Sequence, residues 1–210
     1  MERNSPRWHQ ITPSEFAWEQ EALDHVRELL PDRDPFQAWA NFEFISDTGR
    51  VYEVDLLVVT HKGFFLVEIK SRPGSVEGNG GSWTWRTEGR IRTDDNPLML
   101  ANRKAKALRS LLERQQAMRA SKARSPFLQA AIFLSAEGLV SRLSPDGAHH
   151  VYGLDGAQPG PNTLPSIRDG LLTIDAEQYA RKGKAVDRPM SLAIGRAMEQ
   201  AGVRPSNLLR

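Results

Sequence analysis

A chain of 210 residues, 40% apolar and 26% charged, has the balance of a globular domain with one sizeable core; it lacks both the roughly 18-residue apolar run of a membrane span and a signal-peptide block after Met1-Glu2-Arg3-Asn4. Zero cysteines exclude a disulfide scaffold, thiolate zinc, iron–sulfur clusters and cysteine nucleophiles, and fit a reducing, cytoplasmic setting. The net charge of +2 conceals a division: Met1 to Thr60 carries twelve acids against five bases, whereas Asn102 to Arg124 carries eight bases against Glu113 alone, which suits a polyanion-binding face beside a carboxylate cluster or, equally, a solvated helix.

Thr12-Pro13-Ser14-Glu15 predicts a helix start, with Thr12 as N-cap and Glu15 closing a capping box. The helix runs to Leu30, before Pro31, and collects Phe16, Ala22, Leu23, Val26, Leu29 and Leu30 on one stripe. Glu19 falls inside that stripe and Glu21 well away from it; a carboxylate among core residues needs a partner. Three strands follow: Trp39 to Ile45, Val51 to Val59 and Phe64 to Lys70, separated by turns at Asp47-Thr48-Gly49-Arg50 and His61-Lys62-Gly63. With period-two alternation, Glu53, Asp55 and Leu57 share one face of the second strand, and Leu66, Glu68 and Lys70 one face of the third.

Gly74 to Ser82 reads as a loop, and Trp83 to Arg86 with Arg90 to Arg92 as a hairpin about Glu88-Gly89. Asn96-Pro97 opens a long helix whose apolar face is Leu98, Ala101, Ala105, Leu108, Leu111 and Leu112, with Arg103, Lys104, Lys106, Arg109 and Arg114 around the remainder. Phe127 to Leu134 predicts a buried strand, and strand, helix, strand implies a crossover in a mixed sheet. Ser141 to Pro165 reads mostly as loop around a strand at Val151-Tyr152; helices are expected at Ala176 to Arg181 and, capped by Asp187, from Pro189 to Ala201. The expected division is a domain over residues 12–135 and a loop-rich, helical extension over 136–210, whose end at Leu208-Leu209-Arg210 lacks a polar tail, as in a piece of a longer parent.

The residues that carry chemistry are Asp55 and, thirteen positions on, Glu68-Ile69-Lys70. Hard cations such as Mg²⁺ use one or two carboxylates plus water and a phosphate oxygen, which Asp55 and Glu68 can supply. Lys70, on the same side as Glu68, suits holding or helping to deprotonate an attacking water and offsetting charge on phosphorus. Alone, Glu-x-Lys on a strand is most often a solvent-facing ion pair worth about 0–1 kcal/mol. Here Asp55 interrupts Val54 and Leu56-Leu57-Val58-Val59, where an unpaired carboxylate is costly, and Glu19 also faces inward; a shared cation accounts for all three acids.

Val51 to Val59, the Lys62-Gly63 turn, Phe64 to Lys70 with its Glu-Ile-Lys, Gly74, the Trp83 region and Asn96-Pro97 before a helix resemble the nuclease-related domain, NERD, of the PD-(D/E)XK restriction-endonuclease-like superfamily. The resemblance covers about Glu15 to Leu134. It implies an α/β fold with a mixed central β-sheet flanked by helices, Asp55, Glu68 and Lys70 as the catalytic trio, and Glu19 as the helix glutamate that assists an Mg²⁺ or Mn²⁺ ion, with Glu53 as an outer ligand. Val54 replaces the proline that names the superfamily, and Leu98-Met99-Leu100 stand where a glutamine often follows Asn-Pro. Phe16-Ala17-Trp18-Glu19 and Pro35 to Ile45 are similar to the beginning of large bacterial phage-defence protein kinases of the PglW type, in which such a domain precedes the kinase. No kinase motif occurs here.

Gly78-Asn79-Gly80-Gly81-Ser82 lacks the Gly-Lys-Ser/Thr of a phosphate loop and reads as a flexible loop near the site. Trp83 and Trp85 share a face that either packs on the core, the commoner case, or stacks on bases. His149-His150 lacks metal-ligand spacing. Arg103, Lys104, Lys106 and Arg109 are the candidates for sequence-insensitive contact with a DNA backbone. The leading reading is a metal-dependent DNA endonuclease or nickase within a phage-defence protein. The partners it implies are DNA, an attached kinase, other defence subunits and a second copy where both strands are cut. The alternative is a catalytically silent module that binds DNA or a partner and regulates the kinase.

Overall fold

Strands that are apolar on both sides need cover on both faces, and the chain supplies it. The computed structural model describes residues 1–121, 125–156, 163–174 and 186–205. The central sheet is built from β1 (Trp8–Gln10), β2 (Gln37–Ile45), β3 (Val51–Val59) and β4 (Phe64–Lys70), then β8 (Leu128–Leu134) and β10 (Val151–Tyr152), in the order β1-β2-β3-β4-β8-β10. A two-residue strand, β11 (Arg204–Pro205), pairs antiparallel with Phe42 and Glu43 of β2. The β2–β3–β4 meander is antiparallel, β8 lies parallel to β4, and β1 lies parallel to β2, so the sheet is mixed as expected.

A second sheet, in the order β7-β6-β5-β9, comprises β5 (Ser75–Gly78), β6 (Ser82–Thr87), β7 (Arg90–Asp95) and β9 (Val140–Leu143). The segment expected as a loop therefore contains β5. Gly78 has φ +151, and a Cβ there would lie 2.2 Å from the Ser82 carbonyl oxygen, so only glycine lets the strands turn so tightly.

Helix α1 (Ala17–Leu29) covers one face of the central sheet. Its Ala22, Leu23 and Val26 pack with Leu56, Val58, Val67, Ile69 and Phe133, joined by Ile167 and Leu171 of α4 (Ile167–Leu172). The opposite face carries α2 (Pro97–Glu113), α3 (Gln116–Ala120), α5 (Arg188–Gln200) and the inner side of the small sheet, with Leu57, Leu66, Trp83, Leu108 and Ile194 in one core. The molecule is thus an α/β sheet flanked by helices, the arrangement the resemblance implies. Among the described residues no helix is long and apolar enough to cross a membrane.

Several boundaries differ from expectation. Helix α1 starts at Ala17, because Ser14 rather than Thr12 serves the entry: its hydroxyl accepts the Phe16 N–H and donates to the Glu19 carboxylate. Asp187 caps α5 through the Met190 N–H, as expected. The short elements β1, α3, β9, α4 and β11 were not foreseen; runs of two to six residues carry too little periodicity to register. Residues beyond 135 add β9, β10 and β11 to the two sheets and α5 to the larger core. The helix expected at Ala176 to Arg181 lies outside the described residues.

Candidate active site

The β3–β4 ladder runs from Val59↔Phe64 to Leu56↔Val67 and stops. At the next position the Asp55 carboxylate accepts the Ile69 N–H at 2.7 Å, so a side chain replaces the main-chain partner and the strands part. Opposite, on β2, Asn41 has φ +51 and sits between the pairs Ala40↔Leu56 and Phe42↔Val54. Left-handed backbone is open to asparagine at modest cost, and here it resets the alternation. Val54 packs in the same core as Leu57, whereas strict period two would put them on opposite faces. The expected common face for Glu53, Asp55 and Leu57 is therefore broken, and Glu53 instead pairs across the ladder with Glu43.

Phe64 and Leu66 of β4 point into the α2 core, and Glu68 and Lys70 continue that face. Glu68 is only 7% exposed. A carboxylate so buried persists when its lone pairs are met. Lys70 Nζ donates to Glu68 Oε1 at 2.8 Å, and Lys104 Nζ, from α2, donates to Oε2 at 2.6 Å. Lys104 is 6% exposed, so the expectation that it faces a DNA backbone is corrected: its ammonium is turned into the core of the site. The signal was present in the sequence. Position 104 follows Ala101 by three and precedes Leu108 by four, which places it inside the apolar stripe of the helix.

Four charged groups thus meet at the point where the strands diverge. Burial, followed by the neighbouring Glu68, pushes Asp55 up to about 7, against smaller opposing effects of Lys104, Lys70 and the Ile69 N–H. Burial raises Glu68 too, but the two ammoniums outweigh it and hold the group below the usual glutamate range. Burial draws Lys70 down, yet Glu68 and Asp55 prevail and keep it above the ordinary lysine value.

The cluster opens on a cleft of about 460 Å³ whose walls include Glu68, Lys70, Arg72, Trp85, Arg92 and Arg103. Asn96 forms its corner: its side chain accepts the Leu98 N–H at 2.9 Å as the N-cap of α2 and donates to the Asn79 carbonyl at 3.2 Å. Asn79 in turn accepts the Gly81 and Ser82 N–H groups, so the glycine-rich segment is the pinned turn between β5 and β6. Trp83 and Trp85 are 0% and 5% exposed, which settles them as core and leaves no face for a base. Arg103 reaches the cleft, Lys106 is exposed outside its lining, and Arg109 is half-buried and paired with Glu113 at 2.9 Å.

Glu19 is buried, as its place in the stripe predicts, and Glu21 is exposed. No hydrogen bond or ion pair joins Glu19 to Asp55 or Glu68 among the described residues; its carboxylate is held by Ser14. Gln20, the next residue, bonds Gln10, whose backbone pairs with Ala40, so the first turn of α1 lies level with the Asn41–Asp55 break but on the other face of the sheet.

The model of the family described as "Nuclease-related domain" matches residues 14–135, more than half of the chain. The chain belongs to the NERD family. This NERD chain is also 43% identical over 150 residues to a protein of Streptomyces coelicolor (strain ATCC BAA-471 / A3(2) / M145) named "Probable kinase PglW". That alignment takes in 71% of the present chain and 9% of the relative, so the chain spans less than a tenth of the length of the protein it matches. No solved structure matches it. The NERD match contains Asp55, Glu68, Lys70 and Lys104 together with the elements that carry them, and it leaves out β1, β9, β10, α4, α5 and β11.

The donor set suits a hard, well-hydrated divalent cation. Asp55 and Glu68 are two neighbouring carboxylates, and among the described residues no group of three or more acidic, histidine or cysteine side chains is placed to hold a metal ion. Magnesium commonly keeps several waters and takes only one or two protein carboxylates. Asp55 spends one oxygen on Ile69, which leaves the second for such an ion.

Proposed function

We propose that this domain hydrolyses phosphodiester bonds in DNA with Mg²⁺ or Mn²⁺. The observation that carries the reading is the parting of β3 and β4 at Asp55, which gathers half-buried Asp55, buried Glu68 and two lysines, with Glu68 and Lys70 on the wall of an open cleft. Asp55 and Glu68 would hold the ion, and Glu19, whose carboxylate Ser14 holds near the same break in the sheet, would assist it. A bound divalent cation supplies Lewis-acid polarisation of the phosphate and a more acidic water. Lys70, kept cationic by its neighbours, donates to the attacking water and to charge that grows on the phosphoryl oxygens. Lys104 neutralises Glu68 from behind and fixes which of its oxygens faces the cleft. Arg103 and Lys106 guide the backbone from α2. The likeness to a protein named as a kinase supports a place at the front of a kinase-bearing phage-defence protein.

Nicking of supercoiled plasmid at low salt tests this reading. The native chain nicks with Mg²⁺ or Mn²⁺ and not in EDTA, and Asp55→Ala and Lys70→Ala each lose the activity while still binding DNA. A native chain that binds DNA without cutting it sinks the enzyme reading. That result would favour the second one, a silent module that regulates an attached kinase, which the saturation of Glu68 by two ammoniums and the aliphatic Met99 and Leu100 on the cleft wall also suit.

A further inference from the structure

Beyond the catalytic cluster the cleft carries a second set of charges that the hydrolytic reading leaves unused. Arg72 lies two residues past the end of β4, and Arg92 projects from the edge strand β7. Both guanidiniums reach the same carboxylate: Arg72 Nη1 donates to Asp94 Oδ2 at 3.2 Å, and Arg92 Nε to Asp94 Oδ1 at 2.8 Å. The Arg72 guanidinium also lies over the indole of Trp85, 5.5 Å from its centroid, and Trp85 is locked in the core. Arg92 stands directly across the ladder from Trp85.

Lys70, Arg72, Arg92 and Arg103 outnumber the carboxylates Glu68, Asp94 and Asp95 that line the cleft with them, and each arginine has five N–H donors while Asp94 takes one from each. The arginines are therefore aimed by fixed partners and still have donors to offer. Lys70 and Arg103 line the same cleft, so cationic groups stand on three of its walls: the end of β4, the rim of β7 and the start of α2. A planar fork with spare parallel donors matches a phosphate better than it matches water. The partner this chemistry fits is a polyanion with repeated phosphates that passes over Lys70.

We infer that Arg72 and Arg92, aimed by Asp94 and Trp85, are the principal grip on the DNA backbone beside the reacting phosphate, an inference that rests on the proposed DNA-hydrolysing function. The β6–β7 hairpin then acts as a clamp wall, and the contacts are to phosphate rather than to bases, because the tryptophans beneath are buried. Asp94 positions the arginines and is not itself a contact.

The test is binding of a short fluorescent DNA duplex by anisotropy, in EDTA so that nothing is cut, over a series of salt concentrations. The Arg72→Gln/Arg92→Gln double variant is expected to lose at least tenfold in affinity at low salt and to lower the salt slope by about two. Arg72→Lys/Arg92→Lys restores most of the slope, and Arg3→Gln/Arg188→Gln, which removes two distant surface charges, changes neither quantity. Thermal unfolding of each variant identifies loss of fold; if the double variant fails to fold, the two single substitutions decide, each lowering the slope by about one. Native binding that the Arg72 and Arg92 variants leave intact overturns the inference while sparing the DNA reading. Absence of binding by the native chain overturns both.

Discussion

Asp55 gives the site its pH dependence. Its folded value of about 7 lies above the ordinary 3.8, so the folded state takes up the proton more readily than the unfolded chain. The stabilisation that follows is fully present below about pH 4 and is lost as pH rises through 7, where the carboxylate ionises. A divalent cation needs that ionised form, so the rise in unfolding temperature at saturating Mg²⁺ or Mn²⁺ should be small at pH 6 and grow through pH 8. Asp55→Asn should abolish the rise at both pH values; an equal rise at pH 6 and pH 8 in the native chain would refute the assignment. Lys104 makes a second case at the same scale. Lys104→Met leaves Glu68 with one ammonium and should cost about 3 kcal/mol in urea unfolding without metal. Added Mg²⁺ should recover part of that loss, since a cation can stand in for the missing charge; a variant as stable as native protein would show the pair to be inert.

Among the elements, α2 and the turn before it connect fold to site. Asn96 caps the helix and ties it to Asn79, so Asn96→Ala should cost about 1 kcal/mol or more by urea unfolding and loosen the wall that carries Arg103. The hydrophobic pattern marked this helix and its cap without ambiguity, because seventeen residues of period 3.6 leave little room for another reading. The same pattern placed β3 and β4 at their observed limits. It failed for α1's first turn, where Thr12, Pro13 and Glu15 satisfy every local rule for a helix start. The side chain that serves the entry is Ser14, which engages Glu19 of α1 itself, so a non-local-looking boundary arises from a competing local bond. It failed again for β5, a four-residue strand hidden among glycines that pair closely with β6 and β9.

Across the whole molecule, the residues matched as NERD do not bury their own core. Val151, Met190, Ile194, Ala197 and Met198, all beyond residue 135, pack into the cluster that holds Trp39, Phe42 and Phe44. A chain cut to residues 14–135 should therefore expose that surface, unfold at a lower temperature and lose the sharp two-state transition of the longer chain. Calorimetry of the two side by side checks this, and coincident transitions would contradict it. Asp55, Glu68, Lys70 and the burial of Glu19 were readable from one dimension because each is a charge set in an apolar period, and such a charge demands a partner wherever the chain goes. Which partner it finds is a different matter. That Lys104 closes on Glu68, that Glu19 is answered by Ser14 on the far side of the sheet, and that Asp94 gathers Arg72 and Arg92 depend on how strands, hairpin and helix pack. Periodicity records the face on which a residue lies; only the closed sheet, with its break at Asn41 and Asp55, determines which faces meet.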